Sequence, residues 1–379
     1  MSLALNEEQI MLKDAADSFF RERAPVSALR ALRDNADETG FSRDLWRAMA
    51  DMGWPGAFLP EEYGGIGCGF TELGVVLEAG GRTLAASPLF ASVALCASAL
   101  LLAGTEAQKS GYLPRIASGD LLMALAVDEG PHHRPHSVAT RAEPGNDGYL
   151  LSGRKAHVVD GHVADAFIVV ARTSGEADEA TGITLFLVDA GAGGVAVERR
   201  IMVDSRNMAE VRLENVHVSR ADVLGELHDG AALLQQVLDR GNIALCAEML
   251  GSAREAFERT LEYLKQREQF GAIIGTFQAL QHRAAIMFCE LEMSKSVLMK
   301  ALRTIDDNDG SLPLMASQAK VQVAETLRLV SDEAIQLHGG IGMTDEEEIG
   351  FFLKRARVAQ QLLGDEHYHL ARYASLRGY

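Results

Sequence analysis

Apolar positions over residues 1 to about 120 recur at helical spacing, with Phe19, Phe20, Leu45, Trp46, Met49 and Met52 as markers. Asn6 ahead of Glu7 and Glu8 reads as a helix start, because its side chain can cap free N–H groups and the two carboxylates complement the helix dipole. Glycine and proline interrupt at Pro60-Glu61-Glu62-Tyr63-Gly64-Gly65-Ile66-Gly67. No strand precedes these glycines and no Lys-Ser/Thr follows, so they read as a turn rather than a phosphate loop. A helix through Leu73, Val76, Leu77 and Ala79 comes next. From 121 to 225 strands are predicted at 166–171, 183–188 and 211–218, the last alternating apolar and polar as a half-buried antiparallel strand does. Beyond about 226 the helical period returns. Leu234, Val237, Leu238, Leu245, Met249, Ala253, Ala256, Leu261 and Leu264 form one broad stripe, and further helices are predicted over about 276–306, 313–338 and 345–374. The expected fold is a multidomain α+β protein: an N-terminal α-helical domain over 1–120, a middle antiparallel β domain or barrel over 121–225, and a C-terminal four-helix bundle over 226–379.

Composition narrows the function class. With 379 residues and 47% hydrophobic content the chain can bury a large core. A net charge of −17 argues against a nucleic-acid partner, which requires a basic surface. No apolar run approaches the roughly 20 residues that span a bilayer, so no membrane insertion is expected. Met1 to Glu8 lacks the basic and long apolar regions of a signal peptide. Cys68, Cys96, Cys246 and Cys289 lie far apart without metal-ligand spacing, and read as small buried hydrophobes of a reducing cytoplasm. Three histidines in Pro131-His132-His133-Arg134-Pro135-His136 suggest a metal, but prolines and Arg134 crowd them and no carboxylate stands at ligand spacing. No metal is expected there, and a polar loop is the better description.

Two segments carry the most information: Arg267-Glu268-Gln269-Phe270-Gly271, leading through Ile274 to Phe277-Gln278-Ala279-Leu280-Gln281, and Gln336-Leu337-His338-Gly339-Gly340-Ile341-Gly342-Met343-Thr344. Together they resemble the C-terminal half of the acyl-CoA dehydrogenase family. Three more stretches match that family in order: Asn6 to Asp14, Leu45 through Gly65, and Gly153-Arg154-Lys155 with Val163-Ala164-Asp165. The resemblance implies a tetrameric flavoprotein, homomeric or heteromeric, that binds FAD and desaturates an acyl-CoA thioester at its α,β positions. Electrons would leave through an electron-accepting flavoprotein, while the protein orients the substrate and tunes the cofactor. It further implies that Arg267, Gln269, Phe270, Ile274, Gln278, Gln336, Gly339 and Gly340 contact FAD across a subunit interface. Arg267 would meet the pyrophosphate, and the two glycines would let backbone approach the cofactor.

Other positions depart from the family pattern. Its middle domain presents a Thr-Glu-Pro loop and a Trp-Ile-Thr/Ser strand to the flavin; here the loop reads Val127-Asp128-Glu129-Gly130 and the strand His157-Val158-Val159. Asp128 replaces a hydroxyl, His157 an indole and Val159 a second hydroxyl. An ionised Asp128 there would repel a reduced flavin, whereas turned to solvent it would cap its own loop. The family's α-proton base is a carboxylate at one of two positions, and those are occupied here by Leu363 and Gly241. The family's thioester contacts fall at Asp239, Asn242 and the Leu363 N–H, with Asn242 in place of an arginine. Glu248 lies about 10.5 Å along the helix from Gly241 and reads as an inter-helix carboxylate; of Asp239, Asp365, Glu366 and His367, which are nearer in sequence, Asp365 is the best candidate replacement base. Three functions stay open: a self-sufficient dehydrogenase using Asp365, a subunit that completes a homologous partner's flavin site, or a non-dehydrogenating lyase, desulfinase or acyl-CoA-binding scaffold.

Overall fold

The computed structural model describes residues 4–379; Met1, Ser2 and Leu3, the start of the segment read for signal-peptide features, lie outside the described residues. The helices are α1 (Glu7–Arg23), α2 (Val26–Asp34), α3 (Arg43–Asp51), α4 (Phe70–Arg82), α5 (Ser98–Ala103), α6 (Glu106–Ala117), α7 (Ala231–Gln266), α8 (Gln278–Asp306), α9 (Leu312–His338), α10 (Ile349–Gln361) and α11 (Glu366–Leu376). The strands are β1 (Met123–Ala126), β2 (Arg141–Pro144), β3 (Gly148–Val159), β4 (Ala166–Arg172), β5 (Ile183–Asp189), β6 (Val195–Ile201), β7 (Asn207–Ser219), β8 (Val223–Leu224), β9 (Glu268–Gln269) and β10 (Ala272–Ile273). The chain is thus helical, then β, then helical, with a C-terminal bundle. The described residues separate into two compact units, one of residues 4–36, 70–86 and 242–379, the other of residues 37–69 and 87–241.

The first unit is entirely helical apart from the β9–β10 hairpin. Asn6 and Gln9 form a reciprocal capping box at the start of α1, and Gln9 Nε2 donates to Glu72 of α4 at 2.8 Å. Asp306, at the end of α8, caps α4 by accepting from the N–H groups of Phe70 (2.5 Å) and Thr71 (3.1 Å). α4 and α7 touch along a glycine seam: a Cβ on Gly81 would lie 2.1 Å from Glu248 O, and one on Gly251 would lie 1.9 Å from Glu78 O. Helix α9 is the hub of the bundle, packing against α8, α10 and α11.

The predicted continuous helix over 345–374 is broken. α10 ends at Gln361, and α11 begins at Glu366. Between them Leu363 (φ 55°) and Gly364 (φ 99°) take left-handed backbone conformations, and Asp365 starts the new helix by accepting from Tyr368 N at 2.8 Å.

The second unit is built on an eight-stranded sheet in the order β6-β7-β3-β2-β4-β5-β8, with β1 added parallel to β4. β4 and β5 are buried along nearly their whole length, whereas β7 is buried over residues 207–211 and alternates beyond, with a shift of phase at Asn215 (φ 53°). Leu89–Ala97, wound as a π-helix into α5, is completely buried, and Ser92 Oγ exchanges hydrogen bonds with the Met123 backbone of β1 (2.9 and 3.0 Å). The cysteines divide: Cys96 and Cys246 are buried, as expected, but Cys68 and Cys289 are exposed. Cys68 lies in the glycine-rich turn before α4, and Cys289 on the outward side of α8, where no apolar layer of this chain covers it.

Candidate functional site

Arg267 follows the last residue of α7, and the chain reverses at once through the β9–β10 hairpin, closed by Ile274 N donating to Arg267 O at 2.8 Å. The two-residue loop is Phe270-Gly271, both with positive φ (55° and 77°). Such a turn suits Asn-Gly; a phenylalanine there is strained by about 1 kcal/mol. Phe270 is nevertheless 93% exposed, with the edge of Phe277 beside it, ring centroids 6.3 Å apart. Among the described residues the Arg267 guanidinium has no carboxylate partner, and its side chain is exposed. Gln269 and Gln278 are exposed as well, while Ile274 is buried beneath the hairpin.

The second signature lies at the end of α9, in the same unit. His338 is buried, its Nδ1 2.7 Å from Ala334 O, and its ring stacks on Tyr263 of α7 with centroids 4.4 Å apart. This fixes the helix end, after which Gly339 adopts φ 66°, ψ −140°, a backbone conformation reserved to glycine. A Cβ on Gly339 or Gly340 would meet nothing within 4 Å, so open space lies beside both. Gln336 is exposed. The loop beyond is anchored by Asp345, which accepts from Arg30 and Arg33 of α2 at 2.6–2.9 Å and whose carboxyl is held low, to about 2, chiefly by Arg33.

The middle-domain positions behave in the opposite way. Asp128 is engaged within its own loop: Oδ2 lies 2.8 Å from His133 Nδ1, and Oδ1 accepts from Arg134 N at 3.0 Å. Beneath it the fully buried Lys155 Nζ reaches Val127 O (3.0 Å) and Glu129 Oε1 (2.6 Å), while Glu129 also accepts from Ala139 N and Thr140 N. Burial alone would raise the Glu129 carboxyl, but the Lys155 ammonium and these donors hold it below the usual range. The next segment is tied down by Arg172, itself buried, whose guanidinium donates to six main-chain oxygens, among them His136 O and Val138 O. His157 is exposed at φ 53°, in a bulge between the registers of Lys155 and Val158, and Val159 is half-buried opposite Met208. The three-histidine loop is therefore a strapped, polar segment, with His133 facing Asp128.

At the positions read as base and thioester contacts, Gly241 is buried within α7, and Asp239, also buried, accepts from Gln235 Nε2 at 3.1 Å. Asn242 Nδ2 reaches Leu363 O at 3.3 Å. Asp365, the candidate base, has a carboxylate oxygen committed to the N-terminus of α11. Glu248 is buried and paired with Arg355 of α10 at 2.8 Å, the inter-helix role expected of it. Two groups escaped the sequence reading. Lys320 of α9 is wholly buried and donates to the Ala359 and Leu362 carbonyls, and His369 Nε2 lies 3.0 Å from Leu363 O. The signal was a lysine on an apolar stripe, between Ala319 and Val323.

Models of the acyl-CoA dehydrogenase N-terminal, middle and C-terminal domains match residues 6–120, 128–216 and 228–375. The chain belongs to the acyl-CoA dehydrogenase family. It is 31% identical to 3-(aryl)acrylate reductase of Clostridium sporogenes, covering 93% of each chain. It also resembles the solved structures of butyryl-CoA dehydrogenase from Megasphaera elsdenii (26% identity, TM-score 0.92, all of both chains) and of the ChsE4–ChsE5 complex from Mycobacterium tuberculosis (28% identity, TM-score 0.90, all of both chains). It is a flavin-dependent oxidoreductase of that family, with FAD as cofactor. No helix among the described residues is long and apolar enough to cross a membrane.

The two signatures fit such a cofactor: an uncommitted guanidinium, an uncovered aromatic and open space beside two glycines are available to a molecule outside the chain. The middle-domain loop fits less well, since its carboxylate is spent internally and no hydroxyl stands at 128 or 159.

Proposed function

We propose that this chain is one subunit of a heteromeric acyl-CoA dehydrogenase and completes the flavin site of a homologous partner. The observation that carries the reading is the contrast between a strained, uncovered Phe270 beside an uncommitted Arg267 and a middle-domain Asp128 that is internally satisfied. The first pair is presented to something beyond the chain; the second is withdrawn from it. In this reading Arg267, Gln269, Phe270, Gln278, Gln336, Gly339 and Gly340 hold the partner's FAD, with Ile274 supporting the hairpin from below. Bound FAD supplies the acceptor for the two electrons released when the thioester is desaturated. The partner supplies the α-proton base, because Leu363 and Gly241 carry none and Asp365 is occupied as a helix cap. Exposed apolar side chains on α8 (Ile286, Phe288 and Met293) and Met343 beyond α9 give a partner apolar surface to cover. The ChsE4–ChsE5 complex is a relative that pairs two differently named chains. Electrons then pass to an accepting flavoprotein.

Purification of the chain from its native source tests this. A second, homologous chain in roughly equal amount is the expected result. A flavin-loaded homomer would refute the reading.

A further inference from the structure

The end of α10 is set by one buried cation. In a continuing helix the Leu363 N–H would donate to the Ala359 carbonyl, four residues back. Lys320 Nζ takes that carbonyl instead, at 3.3 Å, and also donates to Leu362 O. An ammonium at this point satisfies oxygens that a helix end leaves without donors and lies at the favourable end of the helix dipole. The chain then swings into the left-handed region at Leu363 and Gly364. Leu363 O is held from two sides, by Asn242 Nδ2 of α7 at 3.3 Å and by His369 Nε2 of α11 at 3.0 Å. The N–H of the same residue has no acceptor among the described residues, and Leu363 is half-buried. The Ala359, Leu362 and Leu363 carbonyls are thus tied down, while the Leu363 N–H is left open.

The cation is not placed there cheaply. Removing an ammonium from water costs several kcal/mol unless it is well compensated. Lys320 is 0% exposed, and the oxygens that compensate it belong to the turn's own main chain. Burial pushes its ammonium down to about 8. The titratable and charged groups facing it from the surrounding elements are Cys246 on α7, a thiol that burial pushes up to about 12, Arg355 on α10 and Asp365 at the turn.

We propose that Lys320 is a positioning residue for thioester recognition: by taking the Ala359 and Leu362 carbonyls it ends α10 early, so that the Leu363 N–H can donate to the carbonyl oxygen of an acyl thioester. This rests on the reading of the chain as an acyl-CoA-binding member of its family. It does not require the chain to supply the base. A main-chain donor on that oxygen stabilises negative charge there, whichever subunit removes the α proton.

The test compares two ligands that differ at that oxygen, butyryl-CoA and its thioether S-butyl-CoA, bound to the full chain alone and together with any co-purifying partner. Wild type should prefer the thioester by about tenfold, the worth of one hydrogen bond in a semi-buried site. Lys320→Met should abolish the preference by weakening the thioester alone, with thioether affinity kept within about twofold. Equal affinities in wild type, a preserved preference in the variant, or equal weakening of both ligands would overturn the proposal. A second measurement needs only wild type. Hydrogen exchange at the Leu363 amide should slow with the thioester and not with the thioether, and equal protection by both contradicts it. If the chain proves to bleach its own flavin, the heteromer reading fails while the ligand preference can still stand, so the two failures are distinguishable.

Discussion

The hairpin at 267–274 and the loop at 127–140 are both polar segments where the family contacts its flavin, yet they are built on opposite principles. In the hairpin, an aromatic is held in a left-handed conformation and left 93% exposed. In the loop, Asp128 is engaged by His133 and the Arg134 N–H, and Lys155 by Glu129 and the Val127 carbonyl. Strain and exposure without an internal partner point to a use outside the chain, whereas dense internal bonding points to self-support. The turn at 362–365 belongs to the second kind in its carbonyls, with the Leu363 N–H left open. The comparison therefore separates what the chain offers from what it keeps.

The largest expected effect breaks the internally bonded region. Glu129→Ala leaves the Lys155 ammonium buried without its carboxylate and should cost about 3–5 kcal/mol in denaturant unfolding. Arg267→Ala, on the exported side, should shift the stability of the isolated chain by less than about 0.5 kcal/mol while sharply lowering the flavin content of the assembled protein. If both changes destabilise the isolated chain alike, the distinction collapses.

A pH series sharpens the assignment of the 362–365 turn. The folded value of Lys320, about 8, lies below the ordinary lysine value of 10.5, so between them the unfolded chain binds more protons than the folded one. Relative to Lys320→Met, wild type should thus gain stability as pH rises from about 8 to 10.5, by roughly 3 kcal/mol, and show no such difference in slope below 8. A flat difference across that window would mean that Lys320 is not held as described.

Two smaller effects follow. Asp365→Ala removes the cap of α11 and should cost about 1 kcal/mol, whereas Asp365→Asn retains the cap and should leave both stability and the activity of the assembled protein nearly unchanged. Loss of activity in the Asn variant would instead favour Asp365 as the base. Phe270→Asn should stabilise the isolated chain by about 1 kcal/mol, since Asn-Gly suits the turn that Phe-Gly strains, and should weaken flavin retention in the assembly.

Much of the fold was legible because long elements carry their own period. β4 and β5 are continuous apolar runs, and α8 and α9 keep a stripe along their length. The helix–sheet–helix order followed from those switches of period. The break after α10 was not read, although Gly364 followed by Asp365 is a stop-and-cap pair; the apolar residues on either side hid it. The adjacency of β2 and β4, and the pairing of Glu248 with Arg355, join residues distant in sequence and leave no periodic trace. Within the candidate site the exposed signatures were legible because residue type and spacing define them. The partners of Asp128 and Lys320 were not, because each depends on which way a loop or helix end folds back.

The central claim, that this chain completes a partner's active site rather than its own, is tested most directly by anaerobic absorbance of the chain expressed alone, supplied with FAD and a panel of acyl-CoA thioesters. The account predicts weak flavin retention and no bleaching until a homologous partner is added. Full bleaching by the chain alone would contradict it.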